Sequence, residues 1–286
     1  MKHFFLISNQ LKDPEFQAAE RIAEYIREKG GQCAYLRMDA FTGEYRESLL
    51  KAIPEDTECI LVLGGDGTLI KAARDTMPLG IPLIGVNLGK LGYLCELEEE
   101  TVFSGIDQLF FGTTMIEERM MLTGEIEREG KSLKTAAALN DIVIHRAGSL
   151  RVVSCQVSVN GQYLSSYTAD GIIAATPTGS TAYSMSAGGP IVDPQANMIL
   201  LTPINSHDLN NRSIVFDEAA SIEIHFSMED NERNAEIRVS FDGTEELSLL
   251  PGDRIRIRRG EKNTKILKLS KRSFLEILRR KMQSMR

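Results

Sequence analysis

The sequence predicts an α/β, Rossmann-like N-terminal domain followed by a β-rich, sandwich-like C-terminal domain. Three observations carry that expectation. The first hundred residues alternate short apolar strands with amphipathic helices. The run Cys59-Ile60-Leu61-Val62-Leu63 is continuously apolar, as a parallel strand covered on both faces requires. Beyond about residue 115, hairpin signals replace the helical periodicity.

Taken in order, His3 to Ser8 reads as the first strand, and Asp13-Pro14 as the N-cap and first residue of a helix. Ala19, Ile22, Ala23 and Ile26 repeat at helical spacing, and Gly30-Gly31 ends the element. Gln32 to Leu36 is the second strand. Cys59 to Leu63 is the next and runs into a glycine turn, after which Leu69 to Arg74 resumes as helix. Pro82 to Val86 is another strand. In the second half Asn160-Gly161, Asp242-Gly243 and Pro251-Gly252-Asp253 read as hairpin turns, and Arg254 to Arg258 alternates charge with isoleucine like a half-buried strand. The expected division is 1–114 for the α/β domain and 115–270 for the β-rich domain, with a terminal helix, 271–286, packing back on the first.

The chain has 286 residues and a net charge of −7, which argues against nucleic acid or anionic membrane as a partner. The basic residues Lys271, Arg272, Arg279, Arg280 and Lys281 fall on a helical pattern and read as a solvated face. No apolar run is long enough to cross a bilayer, and the N-terminal apolar segment reads as a strand, not a signal peptide. Cysteines 33, 59, 95 and 155 form no CxxC pair, so they read as reduced thiols of a cytoplasmic protein. The four histidines have no paired spacing, so no protein-built metal site is expected.

Gly64-Gly65-Asp66-Gly67-Thr68 lies where a buried strand ends and a helix begins, the edge at which open α/β sheets bind ligands. Glycines let a phosphate approach the amides, and the helix offers its positive end. A carboxylate there repels phosphate unless it has another task. It can accept the proton of an attacking hydroxyl, or hold a divalent ion between phosphates. As a plain turn, the same aspartate would only cap the helix. Two other phosphate motifs fail. Gly85-Val86-Asn87-Leu88-Gly89-Lys90 is one residue short of a Walker loop and is followed by Leu91. A dinucleotide fingerprint would need glycine at position 70, where isoleucine stands.

In the second half, Thr176-Pro177-Thr178-Gly179-Ser180-Thr181-Ala182-Tyr183-Ser184 is dense in hydroxyls. Ser180 is placed to cap a helix starting near Thr181, and Ser186-Ala187-Gly188-Gly189-Pro190 permits close backbone approach. Amides, hydroxyls and a tyrosine ring suit a polar aromatic ligand such as a nucleotide. Asn140-Asp141 opens one strand and Asp170-Gly171 precedes another. Each is a turn or a reader of purine and ribose.

Together these strings resemble the NAD kinase family. The resemblance rests on the glycine turn, Gly85 to Leu94, Asn140-Asp141, Tyr167-Thr168-Ala169-Asp170-Gly171, Thr176 through Pro190 and, more weakly, Val239 to Gly243. It implies phosphorylation of the 2′-hydroxyl of the adenosine ribose of NAD to give NADP. ATP is the usual donor, with magnesium or manganese carried by the nucleotide, and the assembly is a homodimer or homotetramer. On this resemblance Asp66 is the general base and Gly67 helps cradle phosphate. Asn140, Asp141 and Asp170 hold the substrate's ribose or nicotinamide portions, and Thr181, Ala182, Tyr183 and Ser186 line the adenine and ribose pocket. Thr168, Ser184 and Met185 are further substrate-binding residues on the same resemblance. Lys71 and Arg151 are candidates for neutralising phosphate. The chain departs from the family pattern at Asp141, where glutamate is usual, along Pro203 to Leu209, and at Thr244, where glutamine is common. A diacylglycerol-type lipid kinase shares the glycine turn but leaves Thr176 to Pro190 without a role. A non-catalytic dinucleotide sensor is opposed by the intact Asp66.

Overall fold

A computed structural model describes residues 1–38, 43–89, 92–112, 114–148, 152–206, 212–226, 236–270 and 272–284. Its contacts divide the chain into two units, Met1–Glu118 with Asn263–Arg286, and Arg119–Lys262. The first unit opens with β1 (His3–Asn9), α1 (Gln17–Glu28), β2 (Gln32–Met38), α2 (Gly43–Ala52), β3 (Cys59–Gly64) and α3 (Asp66–Thr76). It continues through β4 (Leu83–Asn87), β5 (Leu97–Glu98), α4 (Val102–Phe111) and β6 (Met115–Arg119). The second unit runs through β7 (Leu122–Arg128), β8 (Lys131–Ala138), β9 (Asp141–Ala147), β10 (Val153–Val159), β11 (Gln162–Ala169) and β12 (Gly171–Ala175). A single 3-10 turn (Thr178–Thr181) and the four-residue α5 (Tyr183–Ser186) lead to β13 (Met198–Ile204), β14 (Ile214–Asp217), β15 (Ile222–His225), β16 (Glu236–Phe241), β17 (Thr244–Leu249) and β18 (Arg254–Arg259). The chain then returns to the first unit as β19 (Thr264–Lys268) and α6 (Phe274–Ser284).

The strand order of the first sheet is β2-β1-β3-β4-β19-β6, with β5 also on β4. Pairing is parallel among β1, β2, β3 and β4, and β19 joins β4 parallel. Every residue of β3 is buried, as its unbroken apolar run anticipates, and α1 seats Ala19, Ile22, Ala23 and Ile26 in the core. The helix start differs from the sequence expectation. Residues 13–16 form a turn that ends with Phe16 in the left-handed region (φ 65°), and α1 begins only at Gln17. Asp13 still caps it, accepting from the amides of Ala18 and Ala19, both at 3.1 Å, and from the Ser8 hydroxyl at 2.8 Å.

The second unit is two antiparallel sheets, β11-β10-β15-β18-β7-β8 and β14-β13-β12-β9-β16-β17. Their inner faces meet in one core, to which Ile126, Val157, Ile224 and Ile257 come from one sheet and Ile142, Ile144, Ile172 and Phe241 from the other. Asn160-Gly161 and Asp242-Gly243 are tight turns of paired strands, with positive φ at all four residues. Pro251-Gly252-Asp253 is not a hairpin. It carries the chain from β17 in one sheet to β18 in the other, because β18 pairs with β15 and β7. Asp253 secures that crossover by taking both an ion pair from Arg128 (2.8 Å) and the Leu250 amide. The expected boundary at 115–270 is also corrected at both ends, since β6 and β19 hydrogen-bond into the first sheet.

Candidate active site

The glycine turn is where β3 hands over to α3, with Gly65 extended at the helix N-cap. The Asp66 carboxylate is half-buried. It accepts from the backbone N–H of Tyr93 at 2.5 Å, Leu94 at 3.1 Å and Cys95 at 3.3 Å. A side chain on Gly92 could not coexist with it, because a Cβ there would lie 1.9 Å from Oδ1. Gly67 is different. It is exposed in the first turn of α3, and a Cβ would meet nothing within 4 Å. A helical glycine costs about 1 kcal/mol, and no packing among the described residues requires this one, so it leaves room for an external group over the helix N-terminus.

One cation stands over this turn that the sequence reading did not single out. Lys12 is exposed on the loop after β1. Its Nζ lies 3.0 Å from where a Cβ would stand on Gly65 and 2.9 Å from the same point on Gly89. Asn87 closes the loop at Gly89 with a bond to its carbonyl (2.9 Å) and one from its amide (3.2 Å). Nothing in the sequence near Lys12 marks it; only the fold brings it across two chain segments. Lys71, a candidate for neutralising phosphate, is buried along α3 and pairs with Asp75 at 3.3 Å. Arg151 and His207 lie outside the described residues.

The second unit holds a cavity of about 620 Å³. Asn140, Asp141, Asp170, Ala182 and Tyr183 line it, as the sequence suggested. Val143, His145, Arg146, Asn205, Ser240 and Asp242 join them without having been anticipated. The β9 alternation could have revealed two of these. Ile142 and Ile144 point into the sandwich core, so Asp141, Val143 and His145 share the opposite face. Asp242 organises one end of the cavity by accepting from the amides of Leu139 (2.9 Å), Asn140 (2.7 Å) and Asp141 (3.2 Å). Asp170 organises the other, receiving Arg146 Nε at 2.7 Å and Asn205 Nδ2 at 3.0 Å. Asp141 is 5% exposed and its carboxyl is pushed up to about 7, first by burial and then by the Asp242 charge.

The hydroxyl-rich segment folds differently from the expected capped helix. Thr176, not Ser180, does the capping: its hydroxyl accepts from the Gly179 amide at 3.0 Å and donates to the Leu139 carbonyl at 2.5 Å. Ser180 instead bonds both the amide and the carbonyl of Val192. Gly179 packs against the Asn140 backbone, where a Cβ would come within 2.1 Å of its carbonyl oxygen. These contacts bring Ala182 and Tyr183 to the cavity beside Asn140. Thr181, Met185 and Ser186 do not line it. Ser184 is fully buried against Thr202, and Thr168 is on β11 in the other sheet.

An anion-receptive glycine turn on a parallel sheet, in a chain that also carries a nucleotide-sized cavity of apolar walls and convergent amide and carboxyl groups, defines a nucleotide-using phosphotransferase. The sequence matches the ATP-NAD kinase N-terminal domain over residues 4–113 and the ATP-NAD kinase C-terminal domain over residues 139–269. The chain belongs to the ATP-NAD kinase family. The NAD kinase of Agathobacter rectalis is 54% identical over 283 residues, covering 99% of each chain. That of Lachnospira eligens is 43% identical over 297 residues, covering 99% of this chain and all of the other. Among solved structures, yeast NADH kinase complexed with NADH superposes with a TM-score of 0.83 at 22% identity, over 99% of this chain and 88% of the other. The Archaeoglobus fulgidus NAD kinase in complex with ATP gives 0.74 at 22% identity, over 96% and 98%. These two establish the shared fold.

Proposed function

We propose that the protein transfers the terminal phosphoryl group of ATP to the 2′-hydroxyl of the adenosine ribose of NAD, giving NADP. The observation that carries the reading is the pairing, in one chain of this family, of the Gly67 opening at the α3 N-terminus with the Asn140–Asp141–Asp170 cavity. The turn suits the donor's phosphates, and the cavity offers amide and carboxyl groups to a dinucleotide's ribose and base edges, with Tyr183 for stacking. Asp66 is the hydroxyl acceptor. The amides of residues 93–95 take three of about four carboxylate lone-pair sites and so fix the carboxylate's orientation. That geometry makes Asp66 a strong aligner of the hydroxyl, which is what a loose phosphoryl-transfer transition state asks of a base.

The described residues bring no three metal-ligating side chains together. Asp66, the carboxylate at the glycine turn, is the residue that would stand beside a divalent ion that keeps phosphate and water ligands, as magnesium does. When bound with the nucleotide, such an ion would neutralise charge on the phosphoryl oxygens. The reading places the enzyme in the cytoplasm as a homodimer or homotetramer. The four cysteines, all free thiols, support the compartment.

The deciding assay incubates the purified protein with NAD, ATP and magnesium and detects NADP with an NADP-specific dehydrogenase. Product formation is expected. No product with ATP, with polyphosphate, or with NADH as acceptor would overturn the proposal.

Lys12 belongs to the same reading, as the cation that meets the donor's phosphates. Lys12→Met is expected to lower kcat/KM for ATP roughly 10–100-fold, less than loss of a buried oxyanion donor because Lys12 is exposed. Affinity for NAD should be unchanged and Lys12→Arg should recover most of the loss. Steady-state kinetics with each substrate varied in turn checks this.

A further inference from the structure

We infer that Glu96 and Lys268 form a positioning pair that holds the Asp66-binding backbone in place by clamping the C-terminal segment to it. This rests on the reading of Asp66 as the residue that receives the substrate hydroxyl. The amides that hold Asp66 belong to Tyr93, Leu94 and Cys95, and the next residue is Glu96. Its amide donates to the Gly85 carbonyl at 3.1 Å, and β5 follows directly, pairing with β4 at Val86 and Asn87. β19 pairs with the same strand three residues earlier, at Leu83. The exit of β19 and the entry of β5 therefore meet, and Glu96 ties them. Its carboxylate accepts from Lys268 Nζ at 3.0 Å and from the amides of Leu269 (3.1 Å) and Ser270 (2.6 Å).

The tie is dry. The Lys268 and Glu96 side chains are 9% and 5% exposed. Burial opposes ionisation of Glu96, yet Lys268 and Ser270 outweigh it and leave the carboxyl below its usual range. α6 adds a second contact on the same segment, with Lys281 Nζ 4.9 Å from the centre of the Tyr93 ring. So four consecutive residues face two ways. Residues 93–95 grip Asp66, while Glu96, with Tyr93 through its ring, grips the chain terminus. A backbone segment anchored on one side only would let the Asp66 carboxylate turn, and hydroxyl alignment is sensitive to displacements of about 1 Å. Glu96 and Lys268 touch no substrate in this scheme; they act through Asp66.

The test compares wild type, Glu96→Gln, Lys268→Met, the double variant and each change combined with Asp66→Asn. The double variant replaces a buried ion pair by neutral groups of similar volume, so it keeps the fold even where a single change leaves one charge unpaired. Expected is a fall in kcat of about 10-fold for the double variant with KM for NAD within about twofold, and no further fall when the changes are placed on Asp66→Asn. Hydrogen exchange at the amides of 93–95 should quicken about 10-fold, with β1 and β3 unchanged. An unchanged kcat with only a lowered melting temperature would overturn the inference, as would an equal loss in the Asp66→Asn background or unaltered exchange at 93–95. If Asp66→Asn itself leaves kcat intact, it is the reading of Asp66 that fails, not the clamp, which the exchange data judge separately.

Discussion

Asp66→Asn is expected to lower kcat by about 10²–10⁴-fold, the range of a lost general base, while leaving NAD binding nearly unchanged. The loss has two physical sources. The amide cannot accept the hydroxyl proton, and its NH2 must replace one of the two oxygens that now receive backbone N–H groups. If it replaces Oδ2 it faces the Tyr93 amide; if it replaces Oδ1 it faces those of Leu94 and Cys95. Donor then meets donor, and one side of the grip on residues 93–95 is lost. Dinucleotide affinity should persist, because the cavity residues Asn140, Asp141 and Asp170 belong to the other unit. The measurement is kcat beside the dissociation constant for NAD from calorimetry. Wild-type turnover in this variant would remove Asp66 from the chemistry. Loss of NAD binding together with turnover would show that Asp66 holds substrate instead of activating it.

The second large effect concerns stability. Asp141 carries a folded-state value of about 7 against 3.8 for a free aspartate, with burial the larger cause and Asp242 the other. A raised value means that the neutral form is the one the fold accommodates. Its favourable state is complete below about pH 4 and is lost as pH rises through 7, since ionising it in place sets two carboxylates together in a buried corner. At 1.36 kcal/mol per pH unit the cost reaches roughly 4 kcal/mol above pH 7. Asp141→Asn removes that titration. The variant should match wild type near pH 4 and become more stable by a few kcal/mol at pH 8, as read from urea unfolding across that span. Parallel pH profiles for the two proteins would show that Asp141 ionises freely.

Much of the site was legible because it was local. The glycine string follows an apolar run that can only be a covered strand, so the position of Asp66 at a helix start needed no fold to find it. Asn140, Asp141, Asp170, Ala182 and Tyr183 were named through the family resemblance of the short strings that carry them, the strings of the first three being readable by themselves as turns as well. The partners of those residues were not. Arg146 and Asn205 reach Asp170 only because β9 and β13 both flank β12. Asp242 read as half of a hairpin turn, which it is, and its use as the cap over Asn140 depends on β16 lying beside β9. Lys71 shows the converse. A lysine three residues past the glycine turn looks available on paper, but helical spacing puts it beside Asp75 and packing buries both.

What the sequence determined by itself is therefore the two kinds of domain, the main strands and helices around the glycine turn, the tight turns Asn160-Gly161 and Asp242-Gly243, and the family. Those follow from periodicity of two or 3.6 residues and from glycine, asparagine and aspartate accepting positive φ, all effects that act within a few positions of the chain. Only the tertiary structure decided that Pro251-Gly252-Asp253 changes sheets instead of closing a hairpin. It alone set Lys12 over Gly65 and Gly89, and joined Glu96 to Lys268 across 172 positions. Strand order and register are chosen by which apolar faces can close one core, and that choice sums over the whole chain.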